Sequence, residues 1–510
     1  MLKRNSYKKG VLWMLLFNFI ARGISFVLSI LLAKNFLLSD TDVYLYVWSL
    51  INVVLVIITS VNLMAAGPEY IRLCENGDEK EAAKLSSAFL NIYLVPLLIF
   101  TVFALLTPIG TYKAISGFNE TQLLPFSEML RYSGLWLILV IVNNFLGNTL
   151  LSRKYFSASV LGQFLAAAIT LLFIICFKKD LGIGSFFIGQ IVGNLVCFIF
   201  YMYQTKIRIK EKLTLFYFRM RPKIRKEMVA SLLIALPTLI TNFILVYLLS
   251  QLVTGKLSAY NYGTTLANLP DVIFLSQIIS VIGVKFSEIG ATRQQDILFN
   301  ALRFFGYHLF FLMSGLAIII TLTSPAIIQI FYGKESLGEA TFISASFTLT
   351  LISATLAFKA LDSLHNRVFA SLQALSVLMK YTLPVKILSI GLLVWLSSRY
   401  GFEGILVHQL AMPVLMVLLQ FYLLSKYLPA QKIRSYIIHL SLLFTGSLAV
   451  YAGCRFLLAY VFMTIPPVIQ VLMLCGIVIG IGVVFEKLFK ITMFFKELAR
   501  WKNRLFKRSV

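Results

Sequence analysis

Apolar runs of roughly 20 residues recur along the whole chain, and each is long enough to cross a lipid bilayer as an α-helix. Hydrophobic residues make up 59% of the 510-residue sequence and charged residues only 13%. The first run extends from about Val11 to Phe36 without a small-residue cleavage site, so we expect a retained span rather than a signal peptide. These features predict an all-α polytopic membrane protein.

The positive charges of the chain predict its orientation in the membrane. The apolar pattern gives about 14 transmembrane helices, and most of the 46 Lys and Arg residues fall in alternate connecting segments and at both termini. Because cytoplasmic segments carry an excess of Lys and Arg, both termini are expected in the cytoplasm. The formal net charge of +25 therefore does not require nucleic acid, and no nucleic-acid partner is expected.

A faint internal repeat divides the chain into two lobes. The stretch YLYVWSLIN, residues 44–52, matches YNYGTTLAN, residues 260–268, as YxYxxxLxN. Parallel repeats of this kind are one way to build a transporter with its substrate site between the halves. We expect two pseudo-symmetric six-helix lobes and a C-terminal helix pair, with the N-lobe at 1–204, a basic amphipathic cytoplasmic linker at 205–227, the C-lobe at 228–430, and the helix pair with a basic tail at 431–510. The linker is read either as an interfacial helix on anionic membrane lipids or as an ordinary basic loop.

Arg22 is a permanent charge inside the first predicted span, roughly 16 Å from its start at the rise of an α-helix. Asn18 and Ser25 lie one turn before and after it, and Ser29 lies one turn further on, so these residues form one polar stripe. Because charge exposed to lipid costs at least a few kcal/mol, the stripe should face a helix-bundle interior or a water-filled cavity. A salt bridge or an interhelical hydrogen-bonding role is the alternative to a role in binding.

A second polar stripe, of Thr264, Asn268 and Asp271, lies in the second half of the repeat. Asp271 is the only carboxylate expected deep in the membrane, where it would either neutralise a cation or couple transport to an ion or a proton. Lys359 could pair locally with Asp362, on the next turn near the inner face, or extend its ammonium to that interface, whereas Lys386 lies deeper in its span. Deep cations outnumber deep acids, which indicates a cationic cavity suited to an anionic, phosphate-bearing cargo.

Cysteine and histidine positions do not suggest a metal site. The five Cys residues show no CxxC or Cys/His spacing typical of metal ligands, so neither a disulfide nor a metal is expected. No cofactor is expected either.

Two segments carry a family resemblance. The segment GISFVLSILLAKNFLLSDTDVYLYVWSLIN, residues 23–52, and the segment GKLSAYNYGTTLANLPDVIFLSQIISVIG, residues 255–283, resemble helices of the lipid II flippase family of MurJ/MviN type. Weaker similarity reaches YGFEGILVHQL at residues 400–410. This family belongs to a wider superfamily of drug, oligosaccharidyl-lipid and polysaccharide exporters.

The resemblance implies a non-enzymatic flippase of the bacterial inner membrane. It would move a polyprenyl-pyrophosphate-linked oligosaccharide, a precursor of cell wall or surface polysaccharide, from the inner to the outer leaflet by alternating access. Arg22 matches a cavity arginine of the family, and the last helix pair would hold the lipid tail. Two departures, Leu28 with Leu55 in place of arginines and Thr264 with Thr265 in place of an Asp-Arg pair, favour a related lipid-linked saccharide over lipid II itself.

From these patterns we predict that Arg22, Asn18, Ser25, Asn268, Lys359 and Lys386 bind substrate and that Asp271 is a coupling residue. A drug or cation antiporter of the same superfamily is the first alternative, although it should carry carboxylates where Arg22 lies. A membrane enzyme that polymerises or ligates lipid-linked sugars is the second, but the outer loops are short and lack an acid pair or a nucleophile with its base. Other glycan-assembly membrane proteins are possible partners.

Overall fold

A computed structural model describes most of the chain. The described residues are 7–61, 70–71, 73–74, 76–153, 155–208, 217–218, 222–276, 278–279, 282, 286, 295–372, 374–460, 466, 469, 472–478 and 480. The chain forms two compact units, Met1–Ser258 and Ala259–Val510. The lobe boundaries predicted from the sequence stay a prediction.

The first unit consists of helices in its described part. They are α1 (Tyr7–Asn35), α2 (Leu38–Val61), α3 (Glu79–Leu106), α4 (Pro108–Ile115), α5 (Glu120–Leu123), α6 (Ser127–Ser152), α7 (Phe156–Leu181), α8 (Gly184–Arg208) and α9 (Pro222–Ser250), and a 3₁₀ turn (Leu124–Phe126) precedes α6.

The second unit is helical as well, and α10 begins just before it. Its helices are α10 (Lys256–Ala267), α11 (Gln295–Leu322), α12 (Ser324–Phe331), α13 (Lys334–Leu337), α14 (Glu339–Ala354), α15 (Leu356–Ser371), α16 (Leu375–Tyr427) and α17 (Ala430–Tyr460), and a π-helical turn (Asp271–Leu275) follows α10. Helix α16 is broken at Gly401, whose φ of 56° lies in the left-handed region that glycine adopts readily.

The described helices confirm an all-α membrane protein. Seven described segments are long and apolar enough to cross a membrane, and α14 with α15, bent by 42°, would make an eighth. One of the seven, Ser376–Tyr427, is 52 residues long and contains the break at Gly401. The count of 14 spans stays a prediction, since part of the linker 205–227, most of the last predicted span and the C-terminal tail lie outside the described residues.

Stacked aromatic rings join three helices of the first unit. Trp136 of α6 lies 5.5 Å from Trp48 and 5.8 Å from Tyr44 of α2, with nearly parallel rings. Phe187 of α8 meets Trp136 edge-on at 5.9 Å. Such contacts contribute about 0.5–1.5 kcal/mol each beyond their buried area, so they stabilise the bundle around the first copy of the repeat.

The turn before α10 is held by a buried carboxylate at the start of α2. Asp42 accepts hydrogen bonds from the backbone N–H groups of Gly255 at 2.6 Å and Ser258 at 2.8 Å, and from Ser258 Oγ at 2.5 Å. Three donors compensate the desolvation of this carboxylate. Asp42 and Ser258 are 216 residues apart, which is also the offset of the sequence repeat.

Close contact between α7 and α8 depends on a glycine. A Cβ atom at Gly193 would lie 2.5 Å from the carbonyl oxygen of Ala166 and 2.4 Å from Thr170 Oγ1. The backbone of α7 cannot yield as a flexible side chain could, so only glycine fits there.

We therefore expect Gly193→Ala to lower the free energy of unfolding by about 1–3 kcal/mol, the usual cost of overpacking. The matched control is Gly391→Ala in α16, where an added Cβ meets nothing within 4 Å. Thermal unfolding of the full-length protein in detergent measures both variants. Equal midpoints for Gly193→Ala and the native chain would contradict the close helix contact.

Candidate functional site

The polar stripe on α1 presents its charge at the protein surface. Arg22 is exposed, and among the described residues it makes no hydrogen bond or ion pair. Ser25 is exposed too, and its Oγ donates to the carbonyl of Ala21 at 3.0 Å, within the same helix. Asn18 lies on α1, but its side chain is outside the described residues. An exposed guanidinium on a membrane helix needs an aqueous or anionic neighbour.

Three of the predicted residues lie together in the second unit. Lys359 of α15 donates from Nζ to Asn268 Oδ1 at 3.4 Å, and its charge interacts with that of Asp271. All three side chains are half-buried. Lys359 lies about 18 Å from the end of α15 at Ser371, by the helical rise, so it is too deep for its ammonium to reach the interface easily.

Pro270 explains the local backbone around this cluster. A proline has no N–H and therefore cannot continue the helical hydrogen bonding of α10. A π-helical turn begins directly after it, at Asp271. Single π turns are frequent at functional sites because they turn side chains away from the regular helical positions. Here the π turn begins at Asp271, whose charge interacts with that of Lys359.

Lys386 belongs to a different cluster. It interacts electrostatically with Asp362, which accepts a hydrogen bond from Gln420 Nε2 at 2.5 Å and a further one from Asn366. Gln420 Oε1 lies 3.1 Å from His365 Nδ1. Gln420 and His365 are 0% exposed, whereas Asp362 and Lys386 are half-buried.

One expectation from the sequence differs from the structure at this cluster. Lys359 and Asp362 lie one turn apart on α15, but Lys359 donates to Asn268 and its charge interacts with that of Asp271, whereas Asp362 accepts a hydrogen bond from Gln420 of α16. Gln420 was not among the site residues predicted from the sequence, because a single amide in an apolar helix forms no periodic pattern. Its position inside a predicted span could have indicated it, since polar residues in spans are often functional.

The clusters offer ammonium and amide groups suited to an anion. Lysine provides a point charge and several donors that suit phosphate oxygens, and Asn268 adds an amide. Within the part of the chain that the structure describes, no group of three or more His, Cys, Asp or Glu residues could hold a metal ion.

Solved structures of several transporters share the fold of this chain. "Lipid II flippase MurJ, inward closed conformation" matches with a TM-score of 0.75 and 17% identity, covering 94% of this chain and 99% of that chain. An inward-facing multidrug resistance MATE family transporter of the MOP superfamily matches with a TM-score of 0.62 and 17% identity, covering 81% and 95%. A MOP superfamily transporter from Pyrococcus furiosus matches with a TM-score of 0.55 and 14% identity, covering 83% and 97%.

The sequence profile of the family described as "Lipid II flippase MurJ" matches residues 37–475. The chain belongs to this family. It is a transporter that flips a lipid-linked precursor, and its substrate is a polyprenyl-linked saccharide. The matched segment includes Asn268, Asp271, Lys359 and Lys386, whereas Asn18, Arg22 and Ser25 lie before it. No curated protein matches the chain significantly.

The pairing of Lys359 with Asp271 predicts coupled stability effects. Asp271→Asn should lower the free energy of unfolding by about 1–2 kcal/mol, because it leaves a half-buried ammonium without a carboxylate. Adding Lys359→Met should recover most of that loss. Thermal unfolding of the two single variants and the double variant measures the interaction, and strictly additive effects would show that the two charges do not depend on each other.

Proposed function

We propose that this chain moves a polyprenyl-pyrophosphate-linked oligosaccharide from the inner to the outer leaflet of the bacterial cytoplasmic membrane, with Lys359 and Asn268 contacting the pyrophosphate. The oligosaccharide would be a unit of cell wall or surface polysaccharide, related to lipid II. The observation that carries the proposal is the half-buried ammonium of Lys359, deep in an apolar helix pair and hydrogen-bonded to Asn268.

The depth of Lys359 argues for a role in binding. A charged side chain near the middle of a bilayer costs at least about 2.5 kcal/mol even on the lowest scales. Replacing it by an apolar residue would remove that cost, so the charge is better explained by a ligand than by stability. A pyrophosphate headgroup must leave water to cross the membrane, and a cation at this depth would replace part of its hydration.

Arg22 of the first unit is the other proposed headgroup contact. Its guanidinium is exposed on an apolar helix and could bind two phosphate oxygens with its planar fork. We assign Ser25 and Asn18, one turn on either side, to the polar groups of the same cargo. Lys386 is proposed as a second ammonium contact in the second unit.

Asp271 is proposed to neutralise Lys359 when no cargo is bound. An ammonium paired with a carboxylate has a lower cost in a nonpolar environment than a free one. Cargo binding would then replace a carboxylate by phosphate at Lys359, and cargo release would reverse the exchange. This assignment gives Asp271 a coupling role without a bound metal.

The orientation of the chain follows from its cations. We propose that both termini are cytoplasmic, that the basic linker 205–227 and the tail rest near anionic lipids of the inner leaflet, and that other glycan-assembly membrane proteins deliver or accept the cargo.

The drug or cation antiporter alternative is less well supported, because the family match is to lipid II flippases while the MATE likeness is one of fold.

Leaflet accessibility of a polyprenyl-pyrophosphate oligosaccharide in reconstituted vesicles tests the proposal. Native protein should expose the lipid in the opposite leaflet. Lys359→Met and Arg22→Ala should each reduce the rate at least tenfold, since about 1.4 kcal/mol of lost binding gives that factor. Arg22→Lys should also be slow, because a point charge cannot copy the guanidinium fork.

The matched control is Lys432→Met, which removes an equally long cation from an exposed ion pair with Asp296. It should transport at the native rate. If Lys359→Met and Arg22→Ala both transfer the lipid at the native rate, the assignment of these two cations as headgroup contacts is contradicted. Native protein that moves no lipid would contradict the function itself.

A further inference from the structure

Helix α16 reverses its direction at Gly401, and its two ends lie beside each other. We propose that these ends form a binding site for an anionic phospholipid, in which Lys426 binds the lipid phosphate. The inference goes beyond the proposed function, because this lipid belongs to the membrane and is not the cargo.

The ammonium of Lys426 is held by two aromatic rings. Its Nζ lies 4.4 Å from the ring centre of Tyr422 and 5.1 Å from that of Tyr381. Tyr422 lies one turn before Lys426 in the second half of α16, whereas Tyr381 belongs to the first half. A cation within about 6 Å of the centre of an aromatic ring is attracted by the ring face. The two rings therefore fix the position of an ammonium that would otherwise move freely on its long stem.

The position of the two rings along α16 matches the edge of a bilayer. Tyr381 precedes Gly401 by 20 residues, and Tyr422 follows it by 21. At 1.5 Å per residue, each tyrosine lies about 30 Å along its half of the helix from the break. This length equals the thickness of the hydrocarbon core of a bilayer. The two rings therefore lie at the level of the lipid headgroups, where tyrosine is enriched.

The charge of Lys426 is not neutralised by the protein. Lys426 is exposed, and it forms no ion pair with any residue that the structure describes. Two other lysines lie near an aromatic ring, and each has a carboxylate partner: Lys432 Nζ lies 2.6 Å from Asp296, and Lys334 Nζ lies 3.0 Å from Glu339. Lys426 thus presents a fixed positive charge to an external anion.

The surface next to the two rings is apolar on its membrane side. Leu388 lies two turns deeper than Tyr381, and Leu418 and Leu415 lie one and two turns deeper than Tyr422. These three leucines are 73%, 58% and 44% exposed, respectively. A phospholipid whose phosphate contacts Lys426 would lay its acyl chains along them. A soluble anion would make no use of this surface.

A single ammonium suits a phospholipid better than it suits the cargo. The phosphodiester of a phospholipid such as phosphatidylglycerol carries one negative charge, which one lysine can balance. A pyrophosphate carries more charge and would need further cations or amides, such as those around Lys359. Charge complementarity therefore favours a phospholipid of the surrounding membrane.

A photoactivatable phosphatidylglycerol with a diazirine beside its headgroup tests the inference in phosphatidylcholine vesicles that carry the full-length protein. After illumination, peptide mass spectrometry should find the label in the peptides that contain Tyr381 and Tyr422. Lys426→Met should lower this labelling about fivefold, the factor that one lysine contributes at an anionic membrane surface. Phosphatidylcholine with the same diazirine should label native protein only as weakly.

The role of the rings is tested by two substitutions at one exposed position. Tyr422→Leu should lower labelling by phosphatidylglycerol about two- to fivefold, because an exposed contact between a cation and a ring contributes that factor. Tyr422→Phe keeps the ring and should be labelled as native protein is. Equal labelling of the Leu and Phe variants would contradict the positioning of Lys426 by the ring.

The matched control is Lys432→Met, which removes a lysine that also lies near a ring but is already paired with Asp296. It should be labelled at the native level. Equal labelling of native protein and Lys426→Met, or equal labelling by the two lipids, would overturn the site. Displacement of the probe by polyprenyl pyrophosphate at lower concentrations than by unlabelled phosphatidylglycerol would assign this surface to the cargo instead. Labelling does not require transport, so these results are separate from those of the flippase assay.

Discussion

The cost of placing charge in a lipid bilayer governs the second unit of this protein. Two lysines lie deep in apolar helices. The charge of Lys359 interacts with that of Asp271, and its ammonium donates a hydrogen bond to Asn268. The charge of Lys386 interacts with that of Asp362, which accepts a hydrogen bond from Gln420. Without these partners an ammonium at that depth would destabilise its helix by several kcal/mol. The surrounding helices are therefore arranged to bring acids and amides from separate elements to the two lysines.

The periodicity of apolar residues was enough to predict the class of fold, and polar residues inside predicted spans were enough to select Lys359, Asn268 and Asp271, which the structure brings together. These two patterns were not enough to predict which aspartate lies near which lysine. Lys386 and Gln420 are far apart in α16, yet both act on Asp362, because the helix is broken at Gly401. A break of that kind sets tertiary neighbours that no local spacing can encode.

The internal repeat acquires a physical meaning from one buried contact. Asp42, at the start of the first copy, accepts hydrogen bonds from Ser258, which occupies the equivalent position 216 residues later. The two positions carry different residues, a carboxylate and a hydroxyl, so one can serve as acceptor and the other as donor.

We propose that this chain recognises the charged headgroup of its cargo, rather than the sugar, during transport. The most direct measurement compares, in the same reconstituted vesicles, leaflet transfer of a polyprenyl-pyrophosphate oligosaccharide with that of an uncharged glycolipid bearing the same sugar. We expect protein-dependent transfer of the pyrophosphate lipid and only background transfer of the uncharged one. Equal protein-dependent rates for the two lipids would contradict it.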